Sequence, residues 1–127
     1  MNMKKKKRGF TLTELLVVMA IIAVLATIIA PKAIGYLQEA KKSKATEEAR
    51  QVVLAVEAYN INSKSPIENT AKFSDFITTL SASNYIETSD VEYIDDDNTY
   101  EQLKNIIKQN VSFEINDSGK IQITNKE

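Results

Sequence analysis

One carboxylate stands by itself in this sequence. Glu14 is the single charged residue between Phe10 and Ala30, a run of 21 residues built otherwise from Leu, Ile, Val and Ala with a few Thr, Met and Phe. An acid in apolar surroundings must reach water or meet a cation, because an unpaired buried charge is costly. A second acidic feature, Asp95-Asp96-Asp97 followed by Asn98, offers hard oxygen ligands of the kind Ca²⁺ takes. It lacks the EF-hand spacing and the glycine that follows there, and a solvated loop leading into a helix cap accounts for it as well. The chain has no Cys and no His. That removes disulfides, thiol chemistry, Cys-borne lipid anchors and His-based catalysis, and leaves zinc only carboxylates. Asn110-Val111-Ser112 and Asn116-Asp117-Ser118 fit the glycosylation acceptor pattern, which is short enough to arise by chance. With no Gly-rich phosphate loop, nucleophile–base pair or metal cluster in the sequence, neither an enzyme nor a cofactor is expected.

The segment that carries Glu14 has the dimensions of a membrane span. At about 1.5 Å per residue, Phe10–Ala30 covers roughly 30 Å, the thickness of a bilayer's hydrocarbon core. A carboxylate at mid-bilayer costs about 2.5–3.5 kcal/mol, while each Phe, Leu, Ile or Val returns about 0.3–0.6 kcal/mol. Twelve such residues lie in the segment, so it still inserts. Glu14 sits close to one end, where headgroups are within reach. Lys4, Lys5, Lys6, Lys7 and Arg8 precede the run without an acid and should hold that end in the cytoplasm. An ordinary signal peptide competes with this reading, with Val24-Leu25-Ala26 as a weak cleavage site. Against it stand the abrupt start at Gly9-Phe10 and the acid so near that start.

Charge is divided along the chain. The whole has 16 bases and 17 acids; without the five leading bases, 11 bases face 17 acids, a net of −6. An acidic exported part disfavours broad nucleic-acid binding.

The stretch Lys7-Arg8-Gly9-Phe10-Thr11-Leu12-Thr13-Glu14-Leu15-Leu16-Val17-Val18 closely resembles the N-terminal motif of type IV pilins and type II secretion pseudopilins. The resemblance covers roughly residues 4 to 37. It implies that a prepilin peptidase cuts between Gly9 and Phe10, that Phe10 is then N-methylated, and that Glu14 is the assembly residue. Thr13 departs from the family, which more often has a bulky aliphatic there. Charge and helix geometry fit these implications. Cleavage would free an α-amino group with a pKa of about 7.7–8.0. Four residues amount to about 6 Å along a helix, so subunits staggered by a comparable rise would bring one chain's amine to the next chain's carboxylate.

The elements that must position this segment follow from periodicity. Lys32–Ile61 is rich in helix formers, and Ala45, Ala49, Val52, Val53, Val56 and Tyr59 form a stripe that should carry the outer domain. Lys41, Lys42, Lys44, Glu47, Glu48 and Arg50 fall mainly on a solvated or subunit-facing side. Pro31 and Gly35 should kink the helix at the membrane exit, or let it lose helicity when subunits pack. Ser63-Lys64-Ser65-Pro66 ends it. A short helix is expected over Phe73–Leu80. Another, capped by Asn98 or Thr99, should run through Gln109 with Leu103, Ile106 and Ile107 inward. Alternation over 111–115 and 120–124, joined by Asn116-Asp117-Ser118-Gly119, predicts a β-hairpin, with Val91–Ile94 as a third strand. The expected class is α+β, a long N-terminal helix with a small antiparallel sheet on its second half, which is the pilin fold the resemblance implies. The expected division is a leader over 1–9, a membrane and filament-core helix over 10–30, an amphipathic continuation over 31–62, and a small α+β domain with a C-terminal hairpin over 63–127.

The resemblance implies a single-pass precursor in the cytoplasmic membrane that later joins a surface filament used in adhesion or motility. Its partners would be further copies, minor pilins, the prepilin peptidase and an assembly ATPase with its platform, and no nucleic acid. A pseudopilin of a secretion or DNA-uptake system is the alternative within the resemblance. A monomeric membrane-anchored binding protein is the alternative of another class.

Overall fold

The computed structural model describes residues 9–124. The basic residues Lys4 to Arg8, and with them most of the expected leader, lie outside the described residues. In chain order come α1 (Leu12–Asn62), α2 (Phe73–Ala82), a 3₁₀ turn (Thr88–Asp90), α3 (Tyr100–Ile107), β1 (Phe113–Ile115) and β2 (Ile121–Ile123). This is the expected α+β class. The chain divides into two compact units, Met1–Leu37 and Gln38–Glu127.

In the first unit, α1 has no buried residue. Pro31 lies inside the helix. Proline has no N–H, so the carbonyl of Thr27 lacks its usual helical donor. Pro31 and Gly35 both keep helical backbone. A Cβ added at Gly35 would meet nothing within 4 Å, so no close contact requires glycine there.

The second unit is built on the buried stripe of α1: Ala45, Ala49, Val52, Val53, Ala55 and Val56. The small residues Ala45 and Ala49 are fully covered. Against the stripe lie Phe73, Phe76, Ile77 and Leu80 of α2, Tyr100, Leu103 and Ile106 of α3, Ile94, and Ile121 of β2. Phe76 meets Phe73 and Tyr100 edge-on, at ring-centre distances of 5.7 and 6.5 Å, the geometry that aromatic quadrupoles favour. Tyr59 is partly buried and stands edge-on to Tyr85 at 5.8 Å.

α2 runs two residues beyond the expected Leu80. α3 begins on the Thr99 cap: Thr99 accepts from Gln102 N–H, and the Gln102 side chain accepts from Thr99 N–H, a capping box. Asn98, the other candidate cap, is buried instead. Its Oδ1 accepts from Asp95 N–H at 2.8 Å. The helix stops at Ile107 rather than Gln109, because Gln109 takes a left-handed φ of 58°, which an α-helix does not accommodate.

The hairpin is present but shorter than expected, with Phe113 opposite Ile123, Glu114 opposite Gln122 and Ile115 opposite Ile121. Asn116 makes the turn, its Oδ1 accepting from the N–H groups of Ser118 and Lys120, each at 3.0 Å. Gly119 follows at φ 76°, a conformation open to glycine without strain.

The expected third strand is not formed. Ile121 N–H donates to Tyr93 O at 2.7 Å, but no ladder follows. On the other side, the N–H groups of Glu92 and Tyr93 donate to the two carboxylate oxygens of Glu48, at 2.9 and 2.7 Å. A side chain takes the bonds that strand pairing would have used. This also corrects the reading of Glu48 as part of a solvated face.

Candidate functional site

The candidate site is the start of α1. Gly9, Phe10 and Thr11 precede the helix without regular structure and are exposed, Phe10 by 85%. A Cβ at Gly9 would meet nothing within 4 Å, and its φ lies outside the left-handed range. The fold therefore sets no requirement for glycine at position 9.

Glu14 has a bonding role that its isolation in the sequence hides. Its Oε2 accepts from Thr11 N–H at 3.3 Å, and its own N–H donates to Thr11 Oγ1 at 3.2 Å. The reciprocal pair is a capping box, readable from the Thr-x-x-Glu spacing and missed beside the membrane argument. It satisfies two backbone donors at a terminus that leaves four without partners. It also sets the carboxylate in the first turn, where the helix dipole favours negative charge. Both bonds are exposed, so the carboxylate stays open to another partner.

Around and beyond Glu14 the helix surface is almost all hydrocarbon. Leu12, Leu15, Leu16, Met19, Ile21 and Ile22 are each more than half exposed. Length and composition suit α1 to crossing a membrane, and its most apolar stretch has no buried residue. A contiguous exposed surface of this kind marks a membrane or protein interface.

The remaining candidates fall elsewhere. Asp95, Asp96 and Asp97 do not converge with each other or with another acid as a metal-holding group among the described residues. The Asp95 carboxylate accepts from Asp97 N–H at 2.9 Å, and Asp97 pairs with Lys72 at 3.4 Å. The backbone of the run contributes too: Asp96 O accepts from Ser74 N–H and Asn98 O from Phe73 N–H, tying the loop to the start of α2. Asn60 was not anticipated either. Its side chain both donates to and accepts from the backbone of Ile67, holding the loop after α1. No sequence signal marks Asn60 or Glu48, since their partners are set by the fold.

Comparison with known proteins bears on this terminus. The family described as the prokaryotic N-terminal methylation motif matches residues 4–30. The chain is 37% identical over 62 residues to type II secretion system core protein G of Escherichia coli (strain K12), an overlap of 49% of this chain and 43% of that protein. It is 35% identical over 65 residues to core protein G of Dickeya chrysanthemi, covering 50% and 42% of the two chains. It is likewise 37% identical over 62 residues to the type IV major fimbrial protein FimA of Dichelobacter nodosus, covering 49% and 40%. The matches thus span less than half the length of these relatives. No solved structure matches significantly.

Proposed function

We propose that this chain, whose residues 4–30 match the N-terminal methylation motif and which is similar over about half its length to type II secretion core protein G and type IV fimbrial protein FimA, is a structural subunit of a pilus-like filament of the type IV pilin and pseudopilin kind. The observation that carries the reading is one exposed hydrocarbon helix start with one acid, four residues after a glycine–phenylalanine junction. In this reading the precursor sits in the cytoplasmic membrane with residues 1–9 inside and the larger part of the chain outside. Prepilin peptidase cuts after Gly9, and Phe10 is methylated. Since folding leaves position 9 free, the demand for glycine comes from the peptidase.

Assembly then replaces lipid around α1 with other copies of α1. Glu14 leaves water, and its carboxylate meets the amine at Phe10 of a neighbouring chain. Such a pair acts chiefly on register, because either partner left alone in a dry core is costly. The Thr11 bonds persist or yield according to how closely that amine approaches. The filament serves adhesion or motility, driven by an assembly ATPase and platform and joined by minor pilins, and the chain has no catalytic role.

The match to core protein G supports a second reading, a short pseudopilus of a secretion or DNA-uptake system. Electron microscopy of cells separates the two: long surface filaments containing this chain favour the pilus, and their absence with a secretion or uptake defect on deletion favours the pseudopilus. N-terminal sequencing with mass spectrometry tests both. The expected start is methylated Phe10, and Gly9→Val should accumulate uncut precursor. A native chain that starts at Met1 or after Ala26 refutes both.

A further inference from the structure

The second unit carries an open, partly apolar groove at the edge of its core. Leu54 and Ala58, one helical turn apart on α1, face Tyr85 and Ile86 across an open hollow of about 510 Å³. Leu54 is 57% exposed. Asp90 lines the same hollow, and Glu87 lines the adjoining one. Neither acid is in an ion pair among the described residues, where the pairs are Arg50–Glu47 and Lys72–Asp97. In the sequence, the segment Phe73–Leu103 that carries both acids holds eight acids and no base.

The same sequence carries a surface of the opposite kind. On α1, Ala33, Leu37 and Lys41 follow one another at four-residue spacing, and so do Tyr36, Ala40 and Lys44. Residues four apart form a ridge on a helix, and such ridges pack into grooves. Both ridges are apolar and then basic. Tyr36 is 73% exposed and Leu37 54%, and neither lysine is in an ion pair among the described residues.

We propose that the groove at Leu54, Ala58, Tyr85 and Ile86 receives the two neighbouring ridges of a second copy of this chain, with Asp90 and Glu87 facing its Lys41 and Lys44. The inference rests on the filament reading and adds to it a specific outer contact, between unlike surfaces. An interface between two different patches joins copies head to tail, and it builds an open filament wherever its rotation does not close a ring. The apolar contact supplies attraction, and the charges select direction and register.

The chain has no cysteine, so single introduced thiols report contacts cleanly. Full-length Tyr36→Cys and Ile86→Cys chains, co-expressed and oxidised in cells, should give a disulfide-linked mixed dimer within the sheared filament fraction. Asp90→Lys and Lys44→Asp should each lower its yield roughly two- to fivefold, the range for an exposed ion pair, and the two changes on opposite partners should restore it. Filaments without a 36–86 cross-link overturn this contact and leave the filament reading intact. Absence of any multimer, with Phe10 exposed as a free monomer terminus, overturns both. If the ridges instead bind lipid headgroups, the charge swap will not restore cross-linking and Tyr36→Ser will lower membrane retention, which also overturns the proposal.

Discussion

Two stretches of one helix behave differently. Apart from Glu14 and two threonines, Leu12–Ala30 is apolar on every side, and none of it is buried. Ala45–Val56 is apolar on one stripe, and that stripe is buried under α2, α3 and β2. An amphipathic helix can satisfy its apolar face within its own domain. A helix apolar all round cannot, and needs either lipid or other helices. The comparison teaches that the first stretch needs lipid or other helices around it, whereas the second is the core face of one domain.

The largest effect that tests this contrast comes from Glu14. Glu14→Ala should abolish filament formation while the chain remains in the membrane fraction, since removing an acid makes insertion easier. Normal filaments from this variant, seen by electron microscopy of sheared fractions, would break the assignment of the first stretch to assembly. The reverse pattern is expected in the second. Leu103→Ala removes a fully buried side chain and should cost about 2–5 kcal/mol, measured by denaturant unfolding of the detergent-solubilised chain, with the proposed cleavage after Gly9 unaffected.

Smaller changes sharpen the boundary between folding and assembly. Glu48→Ala strips two backbone donors of a charged acceptor and should cost about 1–3 kcal/mol. Hydrogen exchange should rise at Glu92 and Tyr93 before elsewhere. Gly35→Ala meets no steric obstacle and should strengthen the helix by about 1 kcal/mol. If α1 must lose helicity near Pro31 during packing, the same variant should assemble more slowly, which timed filament regrowth measures.

The smallest effect is one of pH. Burial of Tyr100, and secondarily the charge of Glu57, hold its phenol above the ordinary value of 10.0. The folded state therefore keeps a proton that the unfolded state releases. Stability is fully present below the ordinary tyrosine range and falls as pH rises through the folded value. Tyr100→Phe should flatten that alkaline decline, and a soluble-range pH titration of unfolding shows whether it does.

Much of this was open to reading along the chain because it depends on near neighbours. The membrane-length run, the stripe at Ala45, Ala49, Val52 and Val56, the Thr99 cap and the hairpin turn each depend on residues within a few positions, whose spacing carries the physics. The Thr11–Glu14 box is of this kind too, and was legible in principle. What the tertiary structure decided involves residues far apart. Glu48 meets Glu92 and Tyr93 across more than forty positions, and in doing so turns an expected strand into a clamped loop. Tyr85 comes beside Leu54 and Ala58 to line a groove that no spacing announces. Local patterns state which faces are apolar and where helices begin; only the packed domain settles which polar group reaches which backbone, because many acids along the chain are chemically equivalent until the fold brings one of them close.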